Sequence, residues 1–305
     1  MTVAVFGAPP VAPPAPRPRR PGLQHHWTDW TGRVWALSDY RSGAFLTDSG
    51  IRGMHLPPQT DHIATAAGVD GQSLRSFRVE ARDVLWPVYI YSDEASDQWL
   101  THDASWWRGL QPGRHGTWTV TTQNGSRRHL RMRGTGGADH AYRRDPSVSG
   151  WELYGVRALA DDPYWYGDPV SASVGDEQVA DFIDPDGSPP LHISGGLALA
   201  GLELSNDGDV AAWPVWTAIG PHPDLVLGVG DAVIEAPPLA AGERLVIDTS
   251  PWVRTALIDG VDATDSLGAA DFRPVPPAGT VKLVASSSGS SQVSCEIRPR
   301  YYRAW

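Results

Sequence analysis

The chain has 305 residues and a mass of 33.0 kDa, 41% hydrophobic and 20% charged, enough for two domains or one enlarged β-rich unit with a sizeable core. Its single cysteine, Cys295, excludes an internal disulfide framework and any cysteine-built zinc site. The formal charge of -10 hides an asymmetry: residues 161–305 hold 7 of the 25 basic and 21 of the 35 acidic residues, so neither half offers the dense basic patch of a nucleic-acid binder.

No apolar run approaches the roughly 20 residues of a membrane-spanning helix. The start is too proline-broken for a signal h-region, so a soluble protein made without Sec export is expected. Residues 7–22, GAPPVAPPAPRPRRPG, favour extended polyproline II, and 1–26 read as an N-terminal arm, either surface-draped or strapping a neighbour. From Trp27 short strands follow: Trp30 to Leu37, Gly43 to Leu46, and two across Ser73 to Tyr91. Pro87 in the second of these predicts an edge or bulge position.

The one good helix signal starts near Ser92 or Asp93, carries Trp99, Asp103, Trp106, Trp107 and Leu110 at helical spacing, and stops at Gly109 and Pro112. Asn124-Gly125 then joins Thr117–Thr122 to Arg127–Arg133 as a hairpin, because both turn residues tolerate positive φ. Trp151 to Ala160 is a further strand. After Asp168 aromatics thin out, and seven short strands between Leu197 and Ile297 favour an all-β sandwich, with a boundary near Asp168 to Asp176.

The search for chemistry is negative. P-loop, zincin, nucleophile-elbow and dinucleotide fingerprints are missing. Asp184-Pro185-Asp186-Gly187 matches a fragment of a calcium loop, but Gly195 stands where the bidentate glutamate belongs, so it reads as a turn. The ten histidines form no convincing ligand pair. Fourteen tryptophans could grip sugar rings, yet they sit beside apolar partners or on the helix's apolar stripe, which favours packing. No catalytic, cofactor-binding or metal residue is assigned.

Several stretches, in order over nearly the whole chain, resemble the siphophage distal tail protein family of phages of high-GC hosts. They are WTDWTGRVWAL (Trp27 to Leu37), FLTDSGIRGM (Phe45 to Met54), RDVLWPV (Arg82 to Val88), the Trp-rich helix with LQPG (Leu110 to Gly113), and NGSRRHLR (Asn124 to Arg131). LADDPYWYGD (Leu159 to Asp168), LSNDGDVAAWPVWTAIGP (Leu204 to Pro221), AGERLVIDT (Ala241 to Thr249), FRPVPPAGT (Phe272 to Thr280) and the closing YYRAW (Tyr301 to Trp305) continue the match.

The resemblance implies a mainly β chain: a sandwich- or barrel-like N-terminal domain, 27–170, with one amphipathic helix and a long hairpin, then a galectin-like β-sandwich, 171–305. It implies a non-enzymatic virion part, a hexameric ring at the distal end of the tail. The implied partners are the major tail tube protein, a baseplate hub or tail-associated protein and the tape measure protein, without cofactor, nucleic acid or membrane. A ring needs two different surfaces that pair head to tail, and Arg127, Arg128, Arg131 and Arg133 are the candidate contact residues. The competing reading is a carbohydrate-binding sandwich that contributes to host attachment; a cell-wall glycosidase stands third.

Overall fold

The computed structural model describes residues 22–47, 50–92, 96–136, 144–174, 197–198, 202–289 and 291–305. The proline arm up to Pro21 and the Asp184–Gly187 turn lie outside the described residues. The arm's expected last residues open the first strand instead.

In the first part of the chain the strands are β1 (Gln24–Thr28), β2 (Val34–Ala36), β3 (Ala44–Leu46), β4 (Gln59–Ala64), β5 (Ser73–Val79), β6 (Arg82–Tyr91), β7 (His115–Thr121), β8 (Arg127–Gly134), β9 (Trp151–Ala160) and β10 (Trp165–Tyr166), with helices α1 (Ser96–Gly109) and α2 (Pro146–Ser149). One mixed-length antiparallel sheet runs β2-β1-β7-β8-β9-β6-β3. The Leu46 amide donates to the Leu37 carbonyl at 2.8 Å, so the ends of β2 and β3 meet and the sheet is barrel-like.

Strict alternation builds this sheet's core. In β6 the even positions Val84, Trp86, Val88 and Ile90 are buried while the odd ones are half-buried or exposed, as a period of two requires. Pro87 stands in an interior strand between β9 and β3, not at an edge. Its carbonyl accepts from the Thr47 amide, on the side where the short β3 has already ended, so the missing N–H costs no bond to β9. The Asn124-Gly125 hairpin forms as expected, with Thr121 opposite Arg127 and Gly125 at φ 85°.

Six tryptophans fill the interior. Trp35 meets Trp106 edge to face at 5.3 Å, Trp27 meets Trp86 at 5.4 Å, and Trp86, Trp118 and Trp165 follow at 5.0 Å steps. Helix α1 supplies Trp106 to this chain of rings. Edge-to-face pairs add about 0.5–1.5 kcal/mol each beyond area burial. The cost is that the indole N–H groups of Trp27, Trp35, Trp86 and Trp106 are buried without a hydrogen-bond partner among the described residues. Gly116 on β7 makes room: a Cβ there would stand 2.3 Å from the Trp27 ring.

At the end of β6 the inward parity falls on an arginine. Arg82 is 1% exposed and has no carboxylate partner among the described residues. Its Nε donates to the Pro163 carbonyl at 2.6 Å, one Nη to the carbonyls of Gly53 (2.9 Å) and His55, and the other to Tyr302 at 2.7 Å. Burial lowers its pKa to about 10, which leaves it charged at neutral pH.

The remaining strands are β11 (Val170–Val174), β12 (Leu197–Ala198), β13 (Glu203–Asn206), β14 (Val215–Ile219), β15 (Val226–Val229), β16 (Ala232–Glu235), β17 (Arg244–Asp248), β18 (Thr255–Ile258), β19 (Val261–Asp262), β20 (Gly279–Ser287), β21 (Val293–Ile297) and β22 (Arg300–Tyr301). A sheet ordered β11-β21-β14-β17-β18-β19 faces one ordered β12-β20-β15-β16, with β13 also on β20. Trp216, Leu227, Ile234, Leu245, Ile247, Leu283 and Ile297 lie in this second core. Cys295 is buried there, and burial pushes its thiol up, which makes it an inert apolar filler.

The last residues leave the second core. Strand β22 pairs with β10, Ala304 is buried in the tryptophan core, and Trp305 packs against it. The expected range 171–305 groups these residues with the sandwich; in space they complete the first core.

Two predictions follow from this packing. Replacing Arg82 with Met strands four carbonyls in an apolar setting, a loss of about 4 kcal/mol or more; chemical unfolding checks it, and a loss below about 1 kcal/mol contradicts it. The second concerns His25, buried on β1, whose Nδ1 accepts from the Trp118 indole at 3.3 Å. Burial, and then the charge of His26, lowers its pKa from 6.5 to about 4. The unfolded chain therefore takes up this proton first. Stability present above pH ~6.5 declines as the pH falls toward ~4, by on the order of 3 kcal/mol from this group. A His25→Gln variant should show a shallower fall in Tm across that window; equal slopes contradict the assignment.

Candidate functional site

The four candidate arginines lie on β8, but the strand divides them between two faces. Arg127, Arg131 and Arg133 point outward, as does His129, while Arg128 shares the parity of buried Leu130 and Met132. The four candidates therefore do not share one face, because a period of two divides them.

Three of the four are engaged within the chain. Arg133 grips Asp161 with two bonds of 2.9 and 3.0 Å, and His115 approaches the same carboxylate at 3.1 Å. Arg133 first, and His115 to a lesser degree, hold the Asp161 carboxyl below the usual range. Arg127 pairs with Asp168 at 3.3 Å across an exposed gap, a contact of small worth in water. Arg128 lies over the Tyr301 ring at 3.6 Å and donates to the Arg303 carbonyl at 2.8 Å, so it fixes the C-terminal tail. Arg131, opposite Thr117 on β7, is exposed with no ion pair or hydrogen bond among the described residues.

Two apolar surfaces were not singled out from the sequence. Outward residues of β3, β6 and β9 make an aromatic patch: Phe45 lies 5.0 Å from Tyr89, and Tyr89 stacks on Trp151 at 5.2 Å and 23°. The β4–β5 hairpin forms a two-stranded sheet of its own. A register shift between His62 and Ile63 places Leu74 opposite Ile63, so Ile63, Leu74 and Phe77 share one exposed face. The opposite face is polar, with Arg78, Glu80 and Thr60 bonded together. An isolated hairpin is marginal in water, and Phe77 and Val79 alternating with Arg78 and Glu80 were the available signal.

Among the described residues no group of three or more His, Cys, Asp or Glu side chains could hold a metal ion, and no helix is long and apolar enough to cross a membrane.

The sequence matches no family model. It is 25% identical over 201 residues to the minor tail protein Gp27 of Mycobacterium phage L5, across 62% of this chain. The chain spans 59% of that relative's length. In fold it is similar to the Dit protein of phage SPP1, described as a paradigm of the hub adsorption apparatus in phages infecting Gram-positive hosts, with a TM-score of 0.60 at 14% identity over 92% of this chain and 99% of that one. A chain of the phage P2 baseplate in its activated conformation gives a TM-score of 0.55 at 10% identity over 91% and 98%. The chain therefore has the fold of the siphophage distal tail proteins, in agreement with the resemblance carried by its sequence.

Proposed function

We propose that the chain is a non-enzymatic structural component of a phage tail, a distal tail protein whose copies form a hexameric ring between the tail tube and the baseplate or tip. The observation that carries the reading is the fold likeness to SPP1 Dit, which extends over nearly the full length of both chains. The similarity to a mycobacteriophage minor tail protein supports the same setting.

In this reading residues 27–170 form the ring-building domain and 171–305 the outward sandwich, with the last residues tied back to the ring. A closed ring of identical subunits requires two different, mutually complementary surfaces. The apolar face of the β4–β5 hairpin and the aromatic patch around Tyr89 supply such a pair, because each leaves large apolar groups exposed. Arg131, unpaired among the described residues, adds a charge for an acidic group on the neighbouring copy or tail ring.

The test is the mass of the assembled protein in native mass spectrometry, expected at six times the 33.0 kDa chain. Arg131→Glu should weaken assembly about tenfold or more with an unchanged unfolding midpoint. Arg133→Glu is a poorer probe, since it also breaks the bond to Asp161. A purified protein that stays monomeric both alone and with tail-tube protein, or an Arg131→Glu ring as stable as the wild type, contradicts the proposal.

A further inference from the structure

A cleft of about 250 Å³ opens on the outer face of the six-stranded sheet, where it meets the loop before β10. Its floor is Val215 on the central strand β14. Val215 pairs with Asp248 of β17 on one side and with Glu296 of β21 on the other. All three share the outward face, so two carboxylates stand two strand spacings apart, about 10 Å, across an apolar floor.

Aromatic rings wall this cleft. Trp252 is 91% exposed, an unusual state for so large an apolar ring. It sits on a turn that is held firmly. Ser250 accepts from the amides of Val253 and Arg254, Asp248 Oδ1 accepts from the Ser250 amide at 2.9 Å, and the Thr249 hydroxyl donates to the Pro214 carbonyl at 2.7 Å. Trp252 is thus presented by a rigid frame, and Trp213 and Tyr166 line the same cleft.

The charges nearly cancel. Arg298 donates to Glu296 at 3.3 Å, and Arg300 lies 3.7 Å from Asp162. The buried Nε of Arg300 has no partner among the described residues, and neither do the indole N–H groups of Trp213 and Trp252. Flat apolar rings, unused donors, carboxylate acceptors and little net charge suit a neutral ligand that has an apolar face and hydroxyls on its rim. We infer that this cleft binds an uncharged saccharide, with one pyranose face on Trp252 and hydroxyls donating to Asp248 and Glu296. A basic peptide would need both carboxylates unpaired, whereas Glu296 already holds Arg298, and a metal ion would need them closer together.

The test is isothermal titration of the full chain with uncharged di- and trisaccharides of glucose, galactose, mannose, rhamnose and N-acetylglucosamine. At least one should bind with a Kd of about 1 mM or tighter. Trp252→Ala and Glu296→Gln should each weaken it about tenfold; because Trp252 is exposed, its loss leaves the unfolding midpoint in place. No binding by any sugar at millimolar concentration, binding equal in both variants, or binding of an oligolysine peptide in place of sugars would overturn the inference. None of these outcomes bears on ring assembly, which native mass reads separately.

Discussion

A guanidinium that is buried without a counter-charge must be surrounded by fixed acceptors, and Arg82 finds four of them in three distant parts of the chain. Gly53 and His55 come from the segment before β4, Pro163 from the loop before β10, and Tyr302 from the C-terminal tail. Because desolvation makes each unmade bond costly, these segments can adopt only arrangements that bring their carbonyls to the one fork. The planar geometry of arginine sets that arrangement more narrowly than a lysine ammonium would. Around it lie the other contacts of the tail: Arg128 over Tyr301, β22 on β10, and the Ala304 amide bonded to Met54.

This constraint links the two cores. The sandwich is entered through β11, directly after β10, and left through β22, which returns to β10. Both strands that cross between the cores are therefore tied to the same place on the barrel. A domain attached by both its ends transmits force and orientation better than one on a single linker. The saccharide cleft lies near this junction, since Asp162 and Tyr166 contribute to it together with residues of β14, β17 and β21.

Local patterns in the sequence carry the barrel well. A continuous apolar run marks β6, helical spacing marks α1, and Asn124-Gly125 marks the hairpin, because each is decided by neighbours a few residues apart. What pattern reading misses is decided through space. Arg82 occupies an inward position in a run that otherwise reads as core, a parity signal without any hint of acceptors as far as 220 positions away. Strand β15 is short and contains Gly228, which the backbone of Ala232 approaches so closely that a Cβ would lie 1.9 Å from its carbonyl oxygen; a glycine in so brief a run looks like a turn. The arginines of β8 look like one face until their alternate sides and their partners Asp161, Asp168 and Tyr301 are seen. The tryptophans prove mostly interior, with Trp252 as the marked exception.

The central claim is that the C-terminal tail is a structural part of the first core. It is tested most directly by hydrogen exchange on a chain that ends at Pro299, compared with the full-length protein. The account predicts lost protection in β6 and β10 and at the Arg52 amide, which bonds to Leu85, while β14 and β17 keep theirs. Unchanged protection throughout the barrel after removal of residues 300–305 would contradict it.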